Sequence, residues 1–162
     1  MAKNIWVFCE QRDGEIQSVA FELLGVAREL AAKTGEKVGA LLLGSGVEKK
    51  AKDLVAFGAD EVYVVDDKNL GYYVTEPYAQ AVYSLVKEYE PNVLLFGATS
   101  IGRDLAPRLS ARLKTGLTAD CTNNSLEVLK MIIGTHWDRL TVHVVGNTVI
   151  KDVTYNINVV TS

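Results

Sequence analysis

Apolar residues along this chain gather in short unbroken runs rather than in strict alternation with polar ones. Ile5-Trp6-Val7-Phe8-Cys9, Val38 to Leu43, Val62 to Val65 and Val93-Leu94-Leu95-Phe96 are such runs. Strands buried on both faces of a parallel sheet read this way. Between them the apolar spacing turns helical. Phe21, Leu24, Val26, Ala27, Leu30 and Ala31 predict a helix from about Ser18 to Lys33, with Ser18 as N-cap and Gly35 at its C′ position. Gly44-Ser45-Gly46 leads into a shorter helix, Val47 to Phe57, stopped by Gly58. Tyr78, Val82, Leu85 and Tyr89 mark a helix over Tyr73 to Tyr89, where Glu76 complements the positive start. Leu105, Leu109 and Leu113 mark a fourth helix. Starting it near Arg103-Asp104 keeps Pro107 in the first turn, where a missing N–H is harmless.

Four strand–helix units of about 25 residues each imply an α/β fold with an open, doubly wound, mostly parallel sheet. The predicted order is 3-2-1-4, which sets the carboxyl ends of strands 1 and 4 together at a switch point. Glu10-Gln11-Arg12 then faces Gly97-Ala98-Thr99-Ser100-Ile101-Gly102 across one crevice. A further strand is predicted at Leu117 to Cys121. From Asn123 the pattern becomes β-rich: Leu126 to Ile133, Leu140 to Val145, Val149 to Val153 and Tyr155 to Val160, with a hairpin signal at Gly146-Asn147. Residues 1–122 therefore read as a parallel core. Residues 123–162 read as a β-hairpin tail of the same domain, adding antiparallel strands at a sheet edge or forming an arm. Exposed strands of that kind need a cover.

Composition narrows the function. A length of 162 residues suits one domain with a core of its own. A net charge of −3 with no basic run argues against nucleic-acid or anionic-membrane partners. Cys9 and Cys121 form neither a CxxC pair nor a disulfide framework, and no apolar run approaches the roughly 20 residues of a membrane span. A cytoplasmic protein without membrane insertion is expected. Cys9 reads as core and Cys121 as an inert thiol. His136 and His143 have no acidic or cysteine partner at ligand spacing, and on a strand they face opposite sides. No metal site and no catalytic residue is predicted.

The chemistry that remains lies in the loop and helix start after the fourth strand. Gly97, Thr99, Ser100, Gly102 and Arg103 are candidate cofactor-binding residues, because a small-residue loop at a helix N-terminus offers free N–H groups to an anion. GATSIGRD is a near miss to the P-loop: Arg103 stands for its Lys and Asp104 for its magnesium-binding hydroxyl, so it is not an NTPase site. A tight turn between packed elements, with an interface or no ligand at all, is the favoured reading of such a loop, since every doubly wound sheet has them. Arg103, Asp104, Arg108 and Arg112 are the interface candidates. Asp104 and Arg108 are spaced for an ion pair; Arg108 and Arg112 repel unless an outside acid lies between them. The tyrosines at 73, 78, 83 and 89 read as core rather than a stacking platform.

Four segments in order, IWVFCEQRDGEIQSVAFELLGVAREL, FGADEVYVVDD, LGYYVTEPYAQAV and LLFGATSIGRDLAPRLSARLKTGLTADC, resemble the N-terminal domain of the electron transfer flavoprotein alpha subunit. The likeness runs from Ile5 to Cys121; the tail is similar only loosely, and MIIGTHWD diverges. The resemblance implies a fold like that of adenine nucleotide alpha hydrolases. It implies a heterodimer with a beta subunit that takes electrons from flavin dehydrogenases and passes them to an acceptor oxidoreductase. It further implies that FAD sits in a C-terminal domain toward which residue 162 leads, with AMP or a second FAD in the beta subunit. The chain would then be a scaffold and beta-subunit contact, not an enzyme. The rival is a stand-alone adenine-nucleotide-binding module like universal stress proteins, using the Gly97–Gly102 loop. Thr115-Gly116 does not complete the pattern that such a module needs. An adenine-nucleotide hydrolase or ligase is a third reading, but Gly14 alone makes no pyrophosphate loop after strand 1.

Overall fold

Alternation of side chains across the first strand decides the layers of the fold. Ile5, Val7 and Cys9 face one side and Trp6 and Phe8 the other, and all five are buried. The computed structural model describes residues 4–115, 117, 147–150 and 153–161. In chain order it has β1 (Ile5–Cys9), a small hairpin of β2 (Gln11–Arg12) and β3 (Glu15–Ile16), α1 (Ser18–Thr34) and β4 (Val38–Gly44). A 3₁₀ turn at Glu48–Lys50 leads into α2 (Ala51–Ala56), then come β5 (Glu61–Asp66), a second 3₁₀ turn at Lys68–Leu70 and α3 (Thr75–Tyr89). β6 (Val93–Leu95), α4 (Ser100–Leu113), β7 (Asn147–Ile150) and β8 (Val153–Thr161) follow.

The main sheet runs β6-β1-β4-β5-β8-β7. Its first four strands are parallel, in the order expected from the sequence. β8 joins β5 antiparallel, and β7 pairs antiparallel with β8. Helices cover both faces. Ala20, Leu24, Ala27 and Leu30 of α1 and Leu54 of α2 pack with Ile5, Val7 and Cys9. Tyr78, Val82 and Leu85 of α3 and Leu105 and Leu109 of α4 pack with Trp6, Phe8, Leu41 and Leu43. Both rows of apolar runs thus find a lid, which is why the strands read as unbroken rather than alternating.

Several boundaries differ from the sequence reading. Ser18 is the first helical residue, not the N-cap; Gln17 holds that position in extended backbone without a side-chain cap bond. Gly35 does close the helix, at φ +74°. The helix expected over Val47 to Phe57 is a 3₁₀ turn followed by six residues of α-helix. Asp66 explains the split: its carboxylate accepts the N–H groups of Gly46, Val47 and Glu48 at 2.7, 2.9 and 3.1 Å, pinning that turn. Tyr73 lies before α3, which starts at Thr75. Among the described residues β6 is an edge strand, and Leu94 is half-buried, so it is not covered evenly on both faces.

The expected start of α4 is also displaced. Thr99 is the N-cap and its hydroxyl accepts the Gly102 N–H at 3.1 Å, so the helix begins at Ser100. Pro107 therefore lies in the helix interior, where it withholds a hydrogen bond from the Arg103 carbonyl. Interior proline costs about 3 kcal/mol. Burying Leu105 and Leu109 outweighs that, since losing each such leucine costs about 2–5 kcal/mol. In the tail, Asn147 already belongs to β7, and Ile150 stands opposite Val153. The hairpin signal at Gly146-Asn147 involves residue 146, which lies outside the described residues. Apart from Leu117, the strands expected at 117–121, 126–133 and 140–145, and His136, His143 and Cys121, lie outside the described residues.

Candidate functional site

The carboxyl ends of β1 and β6 lie together because β1 pairs with both β4 and β6. Gly97 to Gly102 leaves β6 there and enters α4. Gly97 packs so closely against α1 that a Cβ on it would meet Val19 Cγ2 at 2.7 Å. A Cβ on Gly102 would stand 1.9 Å from the Gly97 carbonyl oxygen. Both glycines are therefore set by close backbone approach, with no need of a positive φ.

Glu10 closes the crevice from the β1 side. Its side chain is buried, and its carboxylate accepts a short hydrogen bond from the Thr99 hydroxyl. Thr99 thus joins β1 to the first turn of α4. Gln11 is also buried: its amide nitrogen donates to the Tyr78 hydroxyl at 3.1 Å and the Gly71 carbonyl at 3.3 Å, while its amide oxygen accepts Gly14 N–H at 2.9 Å. These bonds lock the β2–β3 hairpin to the start of α3. Ser100 and Arg103 are exposed on the outer rim of the same helix end.

The charged residues of α4 are arranged differently from their sequence spacing. Asp104 does not bridge to Arg108; Tyr73 and Thr75 donate their hydroxyls to one of its oxygens at 2.6 and 2.5 Å. Two short hydroxyl donors held by the start of α3 offer firmer geometry than a flexible arginine one turn away. The acid between Arg108 and Arg112 is supplied internally, by Glu76 of α3, at 3.7 and 2.5 Å. Arg112 is 27% exposed against 49% for Arg108. So Arg112 ties α4 to α3, and Arg108 keeps a solvent-facing side. Asp104, Arg108 and the α3 start lie together; Tyr72 and Val74, next in sequence to Tyr73 and Thr75, are exposed apolar residues.

Hydrogen bonds from Thr75 and then Tyr73 hold the Asp104 carboxyl below its ordinary 3.8. Burial first, and then the bond to Asp104, pushes the Tyr73 hydroxyl up to about 12. A depressed folded-state value means that Asp104 stabilises the fold above its unfolded value. That contribution is lost as pH falls from 3.8 through the depressed value. Asp104→Asn is expected to flatten stability against pH in this acid window only. Urea unfolding at pH 7 and across that window checks it; an unchanged acid slope would remove Asp104 from the α3–α4 joint.

Burial pushes the Cys9 thiol far above its usual range, which leaves it an inert core group as expected. Tyr78 and Tyr89 are buried, and Tyr73 and Tyr83 pack partly against the same core. Among the described residues no group of three or more His, Cys, Asp or Glu could hold a metal ion, and no helix is long and apolar enough to cross a membrane. Glu10 and Asp66 are the residues whose roles the sequence left unread; an acid ending a buried strand beside a glycine loop was their only signal.

This geometry defines a doubly wound α/β domain whose switch-point loop is tied by its own side chains. The electron transfer flavoprotein domain model matches residues 5–145, and the chain belongs to that family. It is 56% identical over 133 residues to the electron transfer flavoprotein subunit alpha of Thermoanaerobacterium thermosaccharolyticum, covering 82% of this chain and 40% of that one. It is 48% identical over 130 residues to the acryloyl-CoA reductase electron transfer subunit beta of Anaerotignum propionicum, covering 80% and 35%. It is 47% identical over 120 residues to subunit LctC of the lactate dehydrogenase (NAD(+),ferredoxin) of Acetobacterium woodii, covering 74% and 29%. The chain thus spans at most 40% of the length of these relatives.

The family implies a flavin, and a phosphate-bearing group entering this crevice would face a carboxylate. The Glu10 carboxylate takes the Thr99 hydroxyl and sets a negative charge at the α4 N-terminus.

Proposed function

We propose that the chain is the base domain of the alpha subunit of an electron transfer flavoprotein, a scaffold rather than a catalyst. The observation that carries this reading is the 56% identity over 133 residues with a subunit alpha. In such a system the isoalloxazine of FAD supplies the redox chemistry, and the protein supplies placement. The residues of this chain provide rigidity: Glu10–Thr99 ties β1 to α4, and Asp104 and Glu76 tie α4 to α3. FAD would be held outside these 162 residues, and AMP or a second FAD by the beta subunit.

The partner face in this proposal is formed by Arg103, Asp104 and Arg108, with Arg112 fixing the helix behind them. Half-exposed Arg108 supports it, because its guanidinium retains donors on the side away from Glu76. Dehydrogenases and an acceptor oxidoreductase would be met through the whole complex, in the cytoplasm. The universal-stress-protein reading is disfavoured by the carboxylate in the crevice. Calorimetric titration of the chain with an electron transfer flavoprotein beta subunit tests the proposal. Saturable one-to-one binding is expected; no heat and no co-elution would refute it.

A further inference from the structure

Glu10 places a buried carboxylate where open α/β sheets usually receive a ligand. The residue is 5% exposed, and Thr99 donates its hydroxyl to it while accepting the Gly102 N–H. We infer that Glu10 is an autoinhibitory contact, a resident anion that bars phosphate-bearing ligands from the crevice between β1 and α4.

Three observations converge on this. The charge sits at the positive end of a fourteen-residue helix, where it takes the electrostatic place of an external anion. The backbone around it leaves little slack, since the missing Cβ atoms of Gly97 and Gly102 are filled by Val19 and by the Gly97 carbonyl. Asp66 repeats the device two strands away, accepting the three N–H groups of residues 46 to 48. Two of the loops that follow parallel strands are thus already supplied with the chain's own carboxylates. An incoming phosphate would meet a like charge that is itself buried, where repulsion is weakly screened.

The inference does not rest on the partner assignment, because it concerns only what the crevice refuses. It is tested on the 162-residue chain with AMP and inorganic phosphate as probes, following amide resonances of residues 97–103 by NMR. Wild type is expected to show no saturable shift at millimolar probe. Glu10→Ala removes both charge and bulk, and is expected to bind AMP at least about tenfold more tightly, with shifts confined to the loop. Glu10→Gln keeps shape and the Thr99 contact while removing the charge, and is expected to gain in the same direction. If Glu10→Ala fails to fold, Glu10→Gln decides the matter alone. Saturable AMP binding by wild type as tight as by the variants would overturn the inference. So would folded variants that gain nothing.

Discussion

Gly102→Ala is expected to destabilise the domain by about 3 kcal/mol or more, well above the cost of an ordinary surface change. The added methyl would stand 1.9 Å from the Gly97 carbonyl oxygen, a backbone atom that cannot swing aside as a long side chain would. Relief requires moving the loop, and the loop is held on its other side by Val19 against Gly97. Moving it also pulls Thr99 from Glu10 and from the Gly102 N–H, so the cap of α4 is lost together with the link to β1. Gly25→Ala supplies the control. Gly25 lies in α1 with nothing within 4 Å of an added Cβ, so the same substitution should stabilise by about 0.5–1 kcal/mol. Urea denaturation of both variants checks the pair; a Gly102→Ala loss below about 1 kcal/mol would mean that the loop yields.

Arg108→Glu is expected to weaken association with a beta subunit by at least about tenfold while leaving stability nearly unchanged. Exposed ion pairs contribute roughly 0–1 kcal/mol, and Arg108 stands 3.7 Å from Glu76 with half its side chain in solvent. Reversing it leaves the 2.5 Å Arg112–Glu76 contact to hold the helices together. The surface effect is larger, because a new carboxylate joins Asp104 and Glu76 on one face and turns it acidic. Arg112→Ala should do the opposite, lowering stability with little effect on a partner. Equal affinity for wild type and Arg108→Glu in calorimetric titration would take Arg108 out of the interface.

Much of the fold is legible in the sequence because burial on two faces leaves an unmistakable run of apolar residues in each core strand. Strand–helix alternation establishes a parallel sheet, but the order 3-2-1-4 is a choice among the doubly wound orders that the observed sheet bears out. The start of α4 is not legible from local rules. Pro107 argues for a late start, whereas Leu105 and Leu109 in the core and Thr99 as a cap enforce an early one. The partners of Asp104, Arg108 and Arg112 are also hidden, since Tyr73, Thr75 and Glu76 lie 29 to 36 residues away along the chain. Helical spacing proposes neighbours on one helix and says nothing of the helix packed beside it. Glu10 and Thr99, separated by 89 residues, are brought together only by the pairing of β1 with β6.

The most direct test of the scaffold account is a visible absorbance spectrum of the purified chain after incubation with FAD and desalting. A protein without flavin absorbance is the predicted result, since the buried Glu10 carboxylate lines the crevice and the proposed function places the flavin outside these residues. A yellow protein with stoichiometric FAD would contradict the account, and would make this domain a flavin carrier in its own right.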